Sequence, residues 1–229
     1  DGKYETFDIY SEAAAKIEYG KKNLFAIHII QNDGGSYIDL GVTTDQGSKP
    51  IDWNPDTVPI VWKEIATAED WVNIKNDLNG FYRLTDHIDL FKLTYAPIGT
   101  TAAPFKGYID GQDFTVKCPA IQDNADRSGL FGYADGAHFV NLRITAGYMQ
   151  AGADAAILLG RGKGVRIEHV VFDYDGEYSN EIIGRDHIGI VAGMLEAGKL
   201  SVIKDVYVVD AKVESTEWQV AGLVGIICD

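Results

Sequence analysis

Along most of this chain apolar and polar residues change places within short runs, without the three-and-four spacing of a helix. Phe139-Val140-Asn141-Leu142-Arg143-Ile144, Ile167-Glu168-His169-Val170-Val171-Phe172 and Ile203-Lys204-Asp205-Val206-Tyr207-Val208 are β-branched or aromatic and partly alternating, and predict strands. Between these runs an apolar segment closed by glycine returns as Gly129-Leu130-Phe131-Gly132, Ile157-Leu158-Leu159-Gly160, Ile190-Val191-Ala192-Gly193 and Gly222-Leu223-Val224-Gly225. The closing glycines, Gly132, Gly160, Gly193 and Gly225, follow one another at a near-regular spacing. A period of this size indicates stacked supersecondary units, each too small to bury its apolar face alone. Strands joined at Gly-containing corners such as Asp135-Gly136 and Gly162-Lys163-Gly164 make the unit a coil of a parallel β-helix, so the expected fold is an all-β solenoid.

One segment keeps helical spacing. Thr67-Ala68-Glu69-Asp70 reads as a capping box, Trp71, Ile74 and Leu78 share a face, and Asn79-Gly80 supplies the stop. This short helix is expected to cover the first core layer, with Trp71 turned inward. Residues 1–60 have a different texture, with strand-like runs at Tyr4–Tyr10, Asn23–Gln31 and Tyr37–Val42, and are expected to form a β-rich cap or small sandwich-like unit. The solenoid is then expected over 61–229. Its last coil, from Val220, stops early, and with an Asp at position 1 the chain reads as an excised piece of a longer protein.

Composition narrows the partners. The 229 residues are 46% hydrophobic and carry a formal charge of −14, which supplies a core but no basic field for nucleic acid or anionic membrane. No apolar run reaches the ~20 residues of a spanning helix. Counting Gly107 as the equivalent glycine of an earlier coil puts Cys118 about four coils from Cys228, beyond the ~7 Å reach of a disulfide.

The candidate chemistry gathers at Phe172-Asp173-Tyr174-Asp175-Gly176-Glu177-Tyr178. Asp173, Asp175 and Glu177, alternating beside a glycine, could offer oxygen ligands to calcium, although an acidic, solvated hairpin tip has the same composition. Tyr174 and Tyr178, with Trp218 in a later loop, could form a platform for sugar rings. Asp135, Lys163 and Glu196 each follow a coil glycine by three residues and are expected to stack as a column of alternating charge. Asn141, His169 and Asp205 are expected to stack at a corner and satisfy its backbone groups. His28, His87, His138 and His187 show no metal-ligand spacing.

The order Phe81-Tyr82-Arg83-Leu84-Thr85-Asp86-His87-Ile88-Asp89-Leu90, Tyr95-Ala96-Pro97-Ile98-Gly99-Thr100, Phe105-Lys106-Gly107-Tyr108-Ile109-Asp110-Gly111 and Ser128-Gly129-Leu130-Phe131-Gly132-Tyr133 resembles the GLUG-motif surface proteins of bacteria, over roughly residues 61 to 229. The segment Ala156-Ile157-Leu158-Leu159-Gly160 departs from the pattern by lacking the leading glycine. The resemblance implies a right-handed parallel β-helix, export to the cell surface or beyond, adhesion, and no catalytic residues. Related repeats precede metallopeptidase domains, but no His-Glu-x-x-His occurs here. Around Tyr19-Gly20-Lys21-Lys22-Asn23-Leu24 and Ile51-Asp52-Trp53 the chain resembles the last strands of fimbrillin-like domains, which implies the outer surface of a Gram-negative cell. The expected function is therefore a non-catalytic module contacting glycan or extracellular-matrix protein. The alternatives are a rigid spacer and a polysaccharide lyase drawing on Arg161, Lys163 and Arg185 near the Asp173–Glu177 loop.

Overall fold

The computed structural model describes residues 60–122 and 124–228. The unit expected over 1–60 lies, but for Ile60, outside the described residues. Among the described residues every strand pairing is parallel, and the chain winds into a β-solenoid of about 5 turns. The largest sheet stacks Trp62–Ile65, Phe81–Leu84, Tyr108–Asp110, His138–Val140, Arg166–Asp173 and Val202–Val208. The short strands Ile88–Asp89, Thr115–Lys117 and Arg143–Thr145 join it on the second half of Arg166–Asp173. A second sheet stacks Ala120–Gln122, Tyr148–Gln150, Asn180–Gly184 and Ala211–Ser215, and a third stacks Phe131–Asp135, Leu159–Lys163, Ala192–Leu195 and Val224–Ile227. Between these two sheets Ala153–Ala156 pairs with Asp186–Gly189.

Register places like on like inside the coil. Ile88, Val116, Ile144 and Phe172 form one inward column, and Tyr82, Ile109, Phe139 and Ile167 another. All are buried, and Phe131 packs at 4.8 Å from both Phe105 and Phe139. Each such ring taken from water favours the folded state by about 1.5–3 kcal/mol. The last coil is less enclosed: Val202, Val213 and Val224 are only partly buried, and Ile227 is 66% exposed.

Corners are made by single residues in the left-handed region. Asn141, His169 and Asp205, at φ 54°, 54° and 51°, occupy one register position, and Arg127, Asp154 and His187, at 61°, 55° and 53°, occupy another. Asn and Asp tolerate this conformation better than most side chains. The expected stack of Asn141, His169 and Asp205 is present, but its bonds run between side chains. His169 Nε2 lies 3.0 Å from Asp205 Oδ2, and Asn141 Nδ2 donates to Asp110 Oδ1 at 3.0 Å.

The recurring glycine allows the coils to nest against these corners. A Cβ on Gly160 would lie 2.6–2.8 Å from the Arg127 backbone and the Gly132 carbonyl, and one on Gly225 would meet the Ile188 amide nitrogen at 2.5 Å. The equivalent glycine of the earlier coil is Gly99 and not Gly107, because Ile98 bridges Phe131 whereas Gly107 precedes the register partner of His138.

The helix spans Ala68–Asn73. The Thr67 hydroxyl accepts from the Asp70 amide at 3.1 Å and the Asp70 carboxylate accepts from the Thr67 amide at 2.9 Å. It tightens to a 3-10 turn at Ile74–Asn76, shorter than its apolar face predicts. Trp71 is buried against Phe131, and its Nε1 donates to the Tyr95 hydroxyl at 3.0 Å, which in turn donates to the Leu130 carbonyl at 2.8 Å.

Candidate binding groove

The segment singled out in the sequence is an insertion at a coil corner. In the last coil only Val209 and Asp210 separate Val208 from Ala211, whereas the whole stretch 173–179 lies between their register partners Phe172 and Asn180. The extra length leans back over earlier coils. Buried Asn180 holds the base: its Nδ2 donates to the Asp173 carbonyl at 3.0 Å and its Oδ1 accepts from the Gly147 amide at 3.1 Å.

Asp175 anchors the tip. One oxygen lies 2.8 Å from Lys117 Nζ, and the other accepts from the amides of Glu177 at 2.9 Å and Tyr178 at 2.6 Å. The bond from Lys117, then that from the Tyr178 amide, holds the carboxyl down to about 2. The same pairing raises the pKa of Lys117. The Tyr178 ring stacks on Phe91 at 5.2 Å and 29°, with Lys117 Nζ 4.9 Å from the Phe91 ring centre and 5.6 Å from that of Tyr178. Cation, rings and carboxylate thus hold the loop in one arrangement.

Beneath it runs a groove of about 350 Å³ lined by His87, Ile88, Asp89, Thr115, Lys117, Thr145 and Asp175. Its floor is the outward column Asp89, Lys117 and Thr145, in register on three strands, with His87 and Thr115 beside it. The Thr115 amide donates to His87 Nδ1 at 3.0 Å, which puts the proton of the neutral ring on Nε2.

The structure distributes the sequence-derived candidates unevenly. Asp175 lines the groove, and Tyr178 stands beside it, against Phe91 and the lining Lys117. Tyr174, 45% exposed, shares the loop, but Trp218, 70% exposed, stands at a different corner, after Ala211–Ser215; neither takes part in a ring pair among the described residues. Asp173 is paired with the Arg143 guanidinium, and Glu177 is exposed beside the Tyr178 hydroxyl, whose pKa it raises. Among the described residues no three His, Cys, Asp or Glu side chains are grouped to hold a metal ion.

Arg161 and Lys163 lie on the third sheet, and the residues they and Arg185 engage are not those of the loop. Arg161 bonds Asp154 at 2.6 Å and Glu196 at 3.3 Å, Tyr133 donates to Glu196 at 2.8 Å, and His187 lies 2.7 Å from Asp154. Arg185 pairs with Asp126 at 3.1 Å. Asp135 and Lys163 do stack in register, but Asp135 pairs with Lys199 and Glu196 with Arg161. Both cysteines are free, and burial raises the Cys118 thiol pKa.

No protein-family model matches the chain, and no curated protein or solved structure matches it. Among the described residues no helix is long and apolar enough to cross a membrane.

Sequence reasoning missed His87, Asp89, Phe91 and Lys117. The signal was available in the spacing: Asp89, Lys117, Thr145 and Asp173 succeed one another at one constant interval, and their register places them on one outward column.

Proposed function

We propose that this chain is a non-catalytic, cell-surface or secreted adhesion module that holds a glycan in the groove under residues 174–179. The observation that carries the reading is the insertion itself, which converts one corner of the solenoid into a walled groove. A pyranose has an apolar face and a rim of hydroxyls. The groove offers Asp89, His87, Thr115 and Thr145 as hydrogen-bonding groups, and the Phe91 and Tyr178 rings stand next to it, beside its Lys117. The GLUG-like segments support the accompanying expectations of right-handed winding, export to the outer surface of a Gram-negative cell, and a helix at Thr67 that covers the first layer.

The chemistry of the groove favours binding over lyase catalysis. A lyase base has to be deprotonated to take a proton beside a sugar carboxylate, and Asp175 stabilises Lys117 in its charged form. Calcium has no part in this reading, since it would have to displace Arg143 from Asp173 and Lys117 from Asp175.

The test is a glycan and matrix-protein array probed with the chain in calcium and in chelator, alongside Phe91→Ala and Asp89→Asn. Selective binding that is independent of calcium and falls at least tenfold in both variants is the expected result. Absence of binding to every ligand would leave the rigid spacer as the better account.

A further inference from the structure

A second ring-bearing surface lies on the same sheet, upstream of its left-handed corner. Trp62, Phe81, Tyr108 and His138 are successive register partners, so four rings gather on the outward face, with Trp62 reaching past Phe81 to Tyr108. Phe81 and Tyr108 lie 6.0 Å apart and within 21° of parallel; Trp62 stands edge-on to them at 6.1 Å and 5.6 Å, and His138 is 5.5 Å from Tyr108. The adjacent inward column, Tyr82, Ile109 and Phe139, already fills the core, so these rings are extra apolar surface. Phe81 is 39% exposed and the other three are partly exposed. At ~4.8 Å per strand the four backbone positions span about 14 Å, and the ring centres, 5.6 Å from Trp62 to Tyr108 and 5.5 Å from Tyr108 to His138, draw together within that span. It ends where Arg166 and Val202 take the same register position.

Two residues further along the same strands runs a polar column. Glu64 pairs with Arg83 at 2.7 Å and Asp110 follows in the same row; buried Val140 then interrupts it before Glu168. These carboxylates, on a chain of charge −14, disfavour an anionic ligand. Burial and the charge of Arg166 lower the pKa of His138, which favours its neutral ring.

From this placement we infer that the strip is a second glycan site, distinct from the groove, which takes the flat face of a neutral β-(1→4)-linked chain lying along the solenoid axis. Successive pyranoses of such a chain form a flat ribbon, with apolar faces repeating at a pitch close to the strand spacing and equatorial hydroxyls at the edge within reach of Glu64, Arg83 and Asp110. The ring strip supplies stacking and the polar column direction.

Native gels containing hydroxyethylcellulose, with cellohexaose and chitohexaose as soluble competitors, test the inference on the full chain. Retardation of the wild type is expected, with at least a tenfold loss of affinity in Trp62→Ala and Tyr108→Ala and no change in Leu200→Ala, an exposed apolar residue outside both ring surfaces. Arg166→Tyr extends the strip by one ring and is expected to tighten retardation, so the inference stays exposed to disproof even if the alanine variants fold poorly. An unretarded wild type, or ring variants and Arg166→Tyr that all migrate as wild type does, would overturn it.

Discussion

Lys117 and Asp175 meet at 2.8 Å although they belong to coils two apart, so one ion pair fixes the inserted loop to the strand that floors the groove. The carboxyl titrates at about 2, below its ordinary value of 3.8, and therefore contributes stability above about pH 4 that is lost as pH falls toward 2. Lys117 is shifted up, so its share is complete below its ordinary 10.5 and is lost only as pH rises past that value. The Tyr178 ring resonances should therefore be constant from about pH 5 to 9 and move together with the Asp175 carboxyl signal below about pH 4. In Lys117→Met the carboxyl should titrate higher than in the wild type, the Tyr178 and Glu177 amides still lowering it, with a loss on the order of 1 kcal/mol of stability. An ordinary aspartate value for Asp175 in the wild type would contradict the pairing.

The repeated glycines separate packing from motif. At Gly160 an added methyl meets Arg127 and Gly132 backbone at 2.6–2.8 Å, atoms that no rotamer change can move away. At Gly222, which leads the last copy of the motif as Gly225 closes it, nothing lies within 4 Å. Gly160→Ala is expected to cost about 3 kcal/mol or more and Gly222→Ala less than about 0.5 kcal/mol in urea denaturation. Equal costs would mean that the glycines do not serve to nest the coils.

How far the sequence foretold this arrangement follows from what repeats and what does not. Inward columns such as Ile88, Val116, Ile144 and Phe172 recur at one constant interval, and the apolar pattern therefore reveals both coil and core. The left-handed corner at Asn141 splits one expected strand into His138–Val140 and Arg143–Thr145, while the equivalent His169 and Asp205 leave theirs continuous. Hydrogen bonding decides that difference, and residue type does not announce it. The insertion at 173–179 was visible as an acidic, aromatic stretch. Its partners stand earlier in the chain, Lys117 two coils before Asp175 and Phe91 three coils before Tyr178, and only register brings them together.

Trp71 joins the helix to the solenoid interior through one ring and one proton. Trp71→Ala removes the contact with Phe131 and should cost about 3–5 kcal/mol. Trp71→Phe keeps most of the apolar volume but takes the indole donor from Tyr95, and should cost about 1 kcal/mol. Tyr95→Phe strands the indole N–H, while the Leu130 carbonyl keeps its bond from the Ile98 amide, for about 1–3 kcal/mol. Chemical denaturation of the three variants ranks these terms. A neutral Trp71→Ala would mean that the helix does not cover the first layer.

The left-handed corner at His169 allows backbone strain to be read with little interference from packing, because the side chain is mostly exposed and among the described residues its polar partner is Asp205. A β-branched residue at φ 54° brings Cβ against the neighbouring carbonyl, whereas glycine has none to bring. His169→Val and His169→Gly both lose the surface pair with Asp205, so its contribution of about 0–1 kcal/mol cancels between them. The valine variant should be less stable than the glycine variant by about 1–2 kcal/mol, the cost of holding an L side chain in this region. At Glu168, one residue earlier and outside the left-handed set, Val is expected to be no worse than Gly, since extended backbone favours the branched side chain. Urea midpoints for the four variants decide the matter. The order reversing between 168 and 169 is the signature of a corner turned by one residue, and the same order at both positions would place the turn elsewhere.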